Sequence, residues 1–131
     1  MATTTTSTTT VSTGRRFRFD AASLTAIHWV AIAAALVSGV AHLYLYYVQE
    51  APVFLFAGVV FLAAVVGVLF NVYRVALYAL GIPFTLGQIA IWYAVGMPDL
   101  DVAIVDKPAQ VVLVVALAWL LYAEYRARRT R

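Results

Sequence analysis

Both histidines of the chain, His28 and His42, fall on one uncharged apolar stretch, and with Ala31, Ala35 and Ser38 between them they follow one another at spacings of 3, 4, 3 and 4. On a helix, residues so spaced lie along one face. Small side chains there let another helix approach closely, and polar ones hydrogen-bond across to it, so the stripe is expected to point into a bundle. A second stripe, Gly81, Thr85, Gln88 and Trp92, repeats the pattern at spacings of 4, 3 and 4. Counted by helical rise, Ser38 and Gln88 lie at a similar depth of roughly 20 Å. The two stripes are therefore expected to meet, with Gln88 in reach of Ser38 or His42. The cluster Ser38, His42, Thr85 and Gln88 is either a polar lock that specifies the packing or the lining of a polar pocket.

Other chemistry is disfavoured. Histidines 14 residues apart suit two haem axial positions, but bis-imidazole ligation needs partners on a second helix, and there are none; Met1 and Met97 lie outside the apolar runs. No cofactor is expected. The chain has no cysteine, which removes thiol nucleophiles and Cys-ligated metal or iron–sulfur sites. A reading by charge-free runs puts no carboxylate inside a span, so no acid/base pair, His-Glu metalloprotease motif or catalytic serine is expected, and no metal site. Asp99 and Asp101 lack the Gly and Glu of a calcium loop. The expectation is a non-enzyme. Gly81 and Pro83 should kink their helix, because proline removes a backbone hydrogen bond and clashes with the preceding turn.

The elements that must hold these residues follow from composition. Of 131 residues, 64% are apolar and 11% charged, with a mean hydropathy of +0.90, whereas a soluble domain has about 45–50% and 25%. This is the composition of an integral membrane protein. Charge-free or nearly charge-free runs at 24–47, 51–70, 75–96 and 109–123 each read as a span; at 1.5 Å per residue the first covers about 36 Å against a hydrocarbon core of about 30 Å. The runs are apolar on both parities, which excludes the alternation of a barrel strand. The expected fold is all-α, four transmembrane helices over 24–125 arranged as two antiparallel hairpins. Residues 97–108, rich in Asp and Pro, read as a polar loop. Residues 1–23 read as a disordered Thr-rich tail followed by a basic, aromatic anchor, and 126–131 as a basic tail.

With four spans, eight of the nine basic residues fall on the side of the termini and the turn after the second span. Short loops rich in Arg and Lys stay in the cytoplasm, so both termini are expected inside. The run at 24–47 exceeds the 7–15 apolar residues of a cleavable signal. The basic residues flank membrane spans, so the expected partners are the bilayer and its anionic headgroups at the cytoplasmic face, not nucleic acid. A homo-oligomer or a larger membrane complex would fit so small a chain.

The runs His42-Leu43-Tyr44-Leu45, Gly81-Ile82-Pro83-Phe84-Thr85 with Gly87-Gln88-Ile89, and Asp106-Lys107 resemble those of an uncharacterised family of small haloarchaeal four-span membrane proteins, over about residues 24 to 125. The resemblance implies four spans and an archaeal plasma membrane, and no catalytic residues. The function expected is a non-enzymatic accessory or scaffold subunit; the alternative is a small oligomeric channel or transporter that uses the polar cluster.

Overall fold

The structure, a computed structural model, describes residues 18–131. The Thr-rich tail and most of the basic anchor, Arg15 and Arg16 included, lie outside the described residues. A single 3-10 turn at Ala21–Ser23 leads into four helices, α1 (Ala26–Gln49), α2 (Pro52–Leu69), α3 (Arg74–Ala94) and α4 (Leu100–Arg129), with no strand among the described residues. Each helix is long and apolar enough to cross a membrane.

Local chemistry sets the ends. Thr25 caps α1 reciprocally with His28: the threonine side chain meets the backbone of the first turn, and its own N–H donates to His28 Nδ1 at 3.0 Å. At the other end Glu50 takes a left-handed conformation (φ 54°) and gives its N–H to the Tyr46 carbonyl, and Pro52 opens α2 at once. Proline suits a first helical position, where its missing donor has no intrahelical acceptor to lose. The link between α1 and α2 is two residues long.

α1 packs against α2 and α4, α3 packs against α4, and α2 and α3 meet only sparingly. The expected contact of α1 with α3 is thus not the main one; both polar stripes turn toward α4 between them. Glycine decides the closest approach. A Cβ on Gly58 would lie 2.8 Å from Leu43 Cδ2 and 3.1 Å from the Gly39 carbonyl, so Gly39 and Gly58 let the backbones of α1 and α2 come together. A Cβ on Gly81 would lie 2.8 Å from Leu117 Cδ1, so this glycine seats an α4 leucine. α3 continues as helix through Pro83.

The apolar core draws on the start of α1 (Ala31, Ile32, Ala35), the end of α2 (Phe61, Val65), Tyr78 of α3 and the second half of α4 (Leu113, Leu117, Leu120). Hydrogen bonds tie this end of the bundle: Asp20 N–H to the Leu69 carbonyl at 3.1 Å, and Arg74 to the Val68 carbonyl at 2.7 Å and Ser23 Oγ at 2.6 Å. At the opposite end Gln49 Nε2 donates to Asp99 Oδ2 at 2.8 Å.

One boundary differs from the sequence reading by more than fraying. α4 begins at Leu100, so the expected polar loop at 97–108 is largely the first turns of a 30-residue helix that runs through Pro108. Charge reads as a break in the sequence, yet here opposite charges are adjacent and neutralise one another inside the bundle. A carboxylate, Asp106, consequently lies within a helix long and apolar enough to cross a membrane.

Candidate functional site

The polar cluster sits at the end of the bundle opposite the termini, where α1, α3 and α4 converge. Asp106 is 2% exposed and Gln110, one turn further along α4, is fully buried. Lys107 holds them together, with Nζ 2.9 Å from Asp106 Oδ2 and 3.0 Å from Gln110 Oε1. Gln110 Nε2 then donates to Gln88 Oε1 on α3 at 2.9 Å. The chain Asp106–Lys107–Gln110–Gln88 therefore crosses from one helix to another through charge-assisted and amide bonds, which are strong in a low-dielectric setting.

His42 approaches from α1. Its Nδ1–H donates to the Ser38 carbonyl at 2.8 Å, which fixes the ring and assigns the proton, because a carbonyl only accepts. Asp106 Oδ1 lies 3.9 Å from the same nitrogen, an ion pair only when the imidazole is protonated, and beyond hydrogen-bond distance. His42 Nε2 has no hydrogen-bond partner among the described residues. Aromatic walls hold the ring, Phe61 at 5.6 Å and Phe54 at 6.2 Å between centroids.

Four buried polar atoms lack a partner among the described residues: Ser38 Oγ, Thr85 Oγ1, Gln88 Nε2 and Asp106 Oδ1. Buried polar groups are normally paired, so each such atom calls for a reason. Two of these belong to residues that line a cavity of about 210 Å3, with His42, Trp92, Asp99 and Lys107 also in its wall. The Lys107 ammonium stands 5.6 Å over the Trp92 ring, and the indole N–H of Trp92 donates to the Pro98 carbonyl at 2.8 Å. The cavity wall thus carries Asp99 and Asp106 against Lys107, an excess of one negative charge. Asp106 and Gln88, whose Oδ1 and Nε2 are buried without a partner among the described residues, both belong to that wall.

Of the four residues expected to form one cluster, Ser38, His42 and Thr85 are buried and Gln88 joins the hydrogen-bonded chain. Gln88 does not meet Ser38 or His42; its partner is Gln110. Thr85 lies toward the apolar half and lines a different cavity. Asp106, Lys107 and Gln110 were missed as site residues. Their signal was present in the sequence: Asp106 and Gln110 are four residues apart, as are Ser38 and His42, and would have marked a face had 97–108 been read as helix. His28, read as an interfacial or hydrogen-bonded residue, does bond, through Nε2 to Tyr78 Oη at 2.9 Å. No group of three His, Asp or Glu side chains able to hold a metal ion occurs among the described residues.

No protein-family model matches the chain, and neither the curated proteins nor the solved structures yield a match to it.

Proposed function

We propose that this chain is a small, non-enzymatic membrane subunit that binds a small hydrogen-bonding cation of the ammonium type at its Asp106–His42 site. The observation that carries the reading is the Asp106 carboxylate. It is almost fully buried among apolar helices, with Lys107 on one oxygen and no donor on the other among the described residues, at the wall of a cavity of net negative charge. An ionisable group inside a membrane span is costly and is retained where it serves binding or transfer. Asp106 Oδ1, His42 Nε2 and the Trp92 ring are the groups such a cation would meet, by hydrogen bonding and cation–π attraction.

The alternative, a channel or transporter built on the same residues, has the buried charge in its favour. Against it stands the apolar core: Ile32, Phe61, Leu113, Leu117 and Leu120 pack together in the half of the bundle nearer the termini, which favours a site entered from one face over a continuous route. By the positive-inside rule that face is the exterior, with the Arg-rich ends of the chain at the cytoplasmic headgroups. An archaeal plasma membrane is what the resemblance to a haloarchaeal family implies. Accessory function in a homo-oligomer or larger membrane complex is part of the same proposal.

Charge displacement on a solid-supported membrane tests the proposal. Proteoliposomes challenged with a step of ammonium at constant pH should give a brief transient from binding, absent in Asp106→Asn. Sustained current would favour the channel, and no signal at all would leave only the structural lock.

A further inference from the structure

Where α2 and α3 fail to close against one another, the bundle contains a second cavity of about 510 Å3, lined almost wholly by apolar side chains from all four helices. Small residues hollow it: Ala31 and Ala35 on α1, Ala63 and Ala64 on α2, and Gly81 on α3. Leu80 and Ala63, both exposed, stand at its rim. Unless something fills it, an open slot of this size leaves its apolar lining without packing partners. Its volume is within the range of about 300–1,000 Å3 for small-molecule sites, which recur between the helices of bundles.

At the end nearer the termini the cavity shares His28, Tyr78 and Leu120 with a wide polar vestibule lined also by Asn71, Arg74, Glu124 and Arg128. Arg74 gives three donors to neutral oxygens, those of Val68, Ser23 and Asp20. It has no carboxylate within ion-pair distance among the described residues. Two of its five N–H groups remain. Arg128 approaches Glu124 only at 3.9 Å with its side chain 68% exposed, so the vestibule keeps a net positive charge. The tautomer of His28 adds a further donor. Its Nδ1 accepts from the Thr25 N–H, so the ring proton is on Nε2 and goes to Tyr78 Oη, which leaves the Tyr78 hydroxyl hydrogen for another acceptor. Trp119 and Tyr73 line the same vestibule, as aromatic residues do at the boundary between hydrocarbon and headgroups.

An apolar slot between α2 and α3 that shares His28, Tyr78 and Leu120 with a positively charged, donor-rich vestibule fits one kind of molecule. We propose that the α2–α3 seam binds one anionic phospholipid per chain, its phosphate beside Arg74 and Arg128 and one hydrocarbon chain in the cavity from Tyr78 to Thr85. This site is separate from the Asp106 cluster and does not rest on the function proposed for it.

The test uses the full chain, delipidated in detergent and titrated with phosphatidylglycerol, with phosphatidylcholine of the same acyl chains, and with glycerol phosphate. Native mass spectrometry counts bound molecules, and thermal unfolding reports that each variant is folded. One phosphatidylglycerol per chain is expected, with affinity lowered about tenfold by Arg74→Gln and by Ala64→Leu, which fills the slot, a change of about 1.4 kcal/mol for each. Arg128→Gln, on an exposed side chain that the fold does not need, should weaken binding in the same direction and make it less sensitive to salt. Phosphatidylcholine binding as tightly, Ala64→Leu binding unchanged, or glycerol phosphate competing as well as the lipid would each overturn the proposal.

Discussion

Removing either member of the Asp106–Lys107 pair should have unequal consequences, and the inequality can be worked from the geometry. Both residues are on α4, so the pair survives when the helices separate within the membrane; what bundle formation adds is burial. The Asp106 side chain is 3% exposed and that of Lys107 16%. Lys107 lies seven residues from the start of α4, about 10 Å by helical rise, and its flexible stem can carry the ammonium toward the headgroups. Asp106→Asn should therefore cost only about 1 kcal/mol, since the freed ammonium can reach water. Lys107→Met strands a carboxylate between α1 and α3; an uncompensated buried charge costs about 3–5 kcal/mol. The double variant Asp106→Asn with Lys107→Met removes both charges and should fall within about 1 kcal/mol of the native protein. Reversible unfolding in mixed micelles by sodium dodecyl sulfate, followed by tryptophan fluorescence, gives all three values. A cost for Asp106→Asn as large as for Lys107→Met, or a double variant weaker than either single one, would refute the reasoning.

Gln110→Leu severs the bond to Gln88 and should destabilise by about 0.6 kcal/mol, and by no more than about 1.7 kcal/mol, the mean and the maximum for hydrogen bonds between membrane helices, in the same micelle assay. Tyr78→Phe removes the acceptor of His28 Nε2, and a loss of similar size is expected. Gly58→Ala should cost about 1–3 kcal/mol by forcing Leu43 and the Gly39 backbone away, while Gly87→Ala, whose Cβ would meet nothing within 4 Å, should change stability by about 0.5 kcal/mol or less. Single cysteines at Asp101 and Arg131 should react with an impermeant thiol reagent in intact cells only at position 101; labelling at 131 would reverse the orientation argued from the arginines.

Hydropathy made the four helices legible, because each carries at least one long run without charge. It misplaced the start of α4 for the same reason. A run-based reading has no means of seeing that Asp106 and Lys107 neutralise one another, and Pro108 reinforced the false break. The polar stripe of α1 was legible from its 3-4 spacing, and Ser38 and His42 are buried as that spacing implies. Its partner was not. Gln88 has the right depth to meet Ser38, but depth along a helix says nothing about which helices are neighbours around the bundle. Gln110, which does meet Gln88, was counted among the residues of an apolar run. The approach of Gly39 to Gly58 was equally hidden, since it depends on a register between α1 and α2 that neither sequence segment displays alone.

The central claim is that Asp106 and His42 form a cation-binding site and not an inert lock. Histidine-selective 15N NMR of the protein in lipid nanodiscs tests it most directly, since the chain has only two histidines and a His28→Asn variant assigns them. The account predicts that the His42 ring resonances move on addition of ammonium at fixed pH, and that Asp106→Asn abolishes the response. Resonances of His42 that stay fixed as ammonium is added while the bundle remains folded would contradict it.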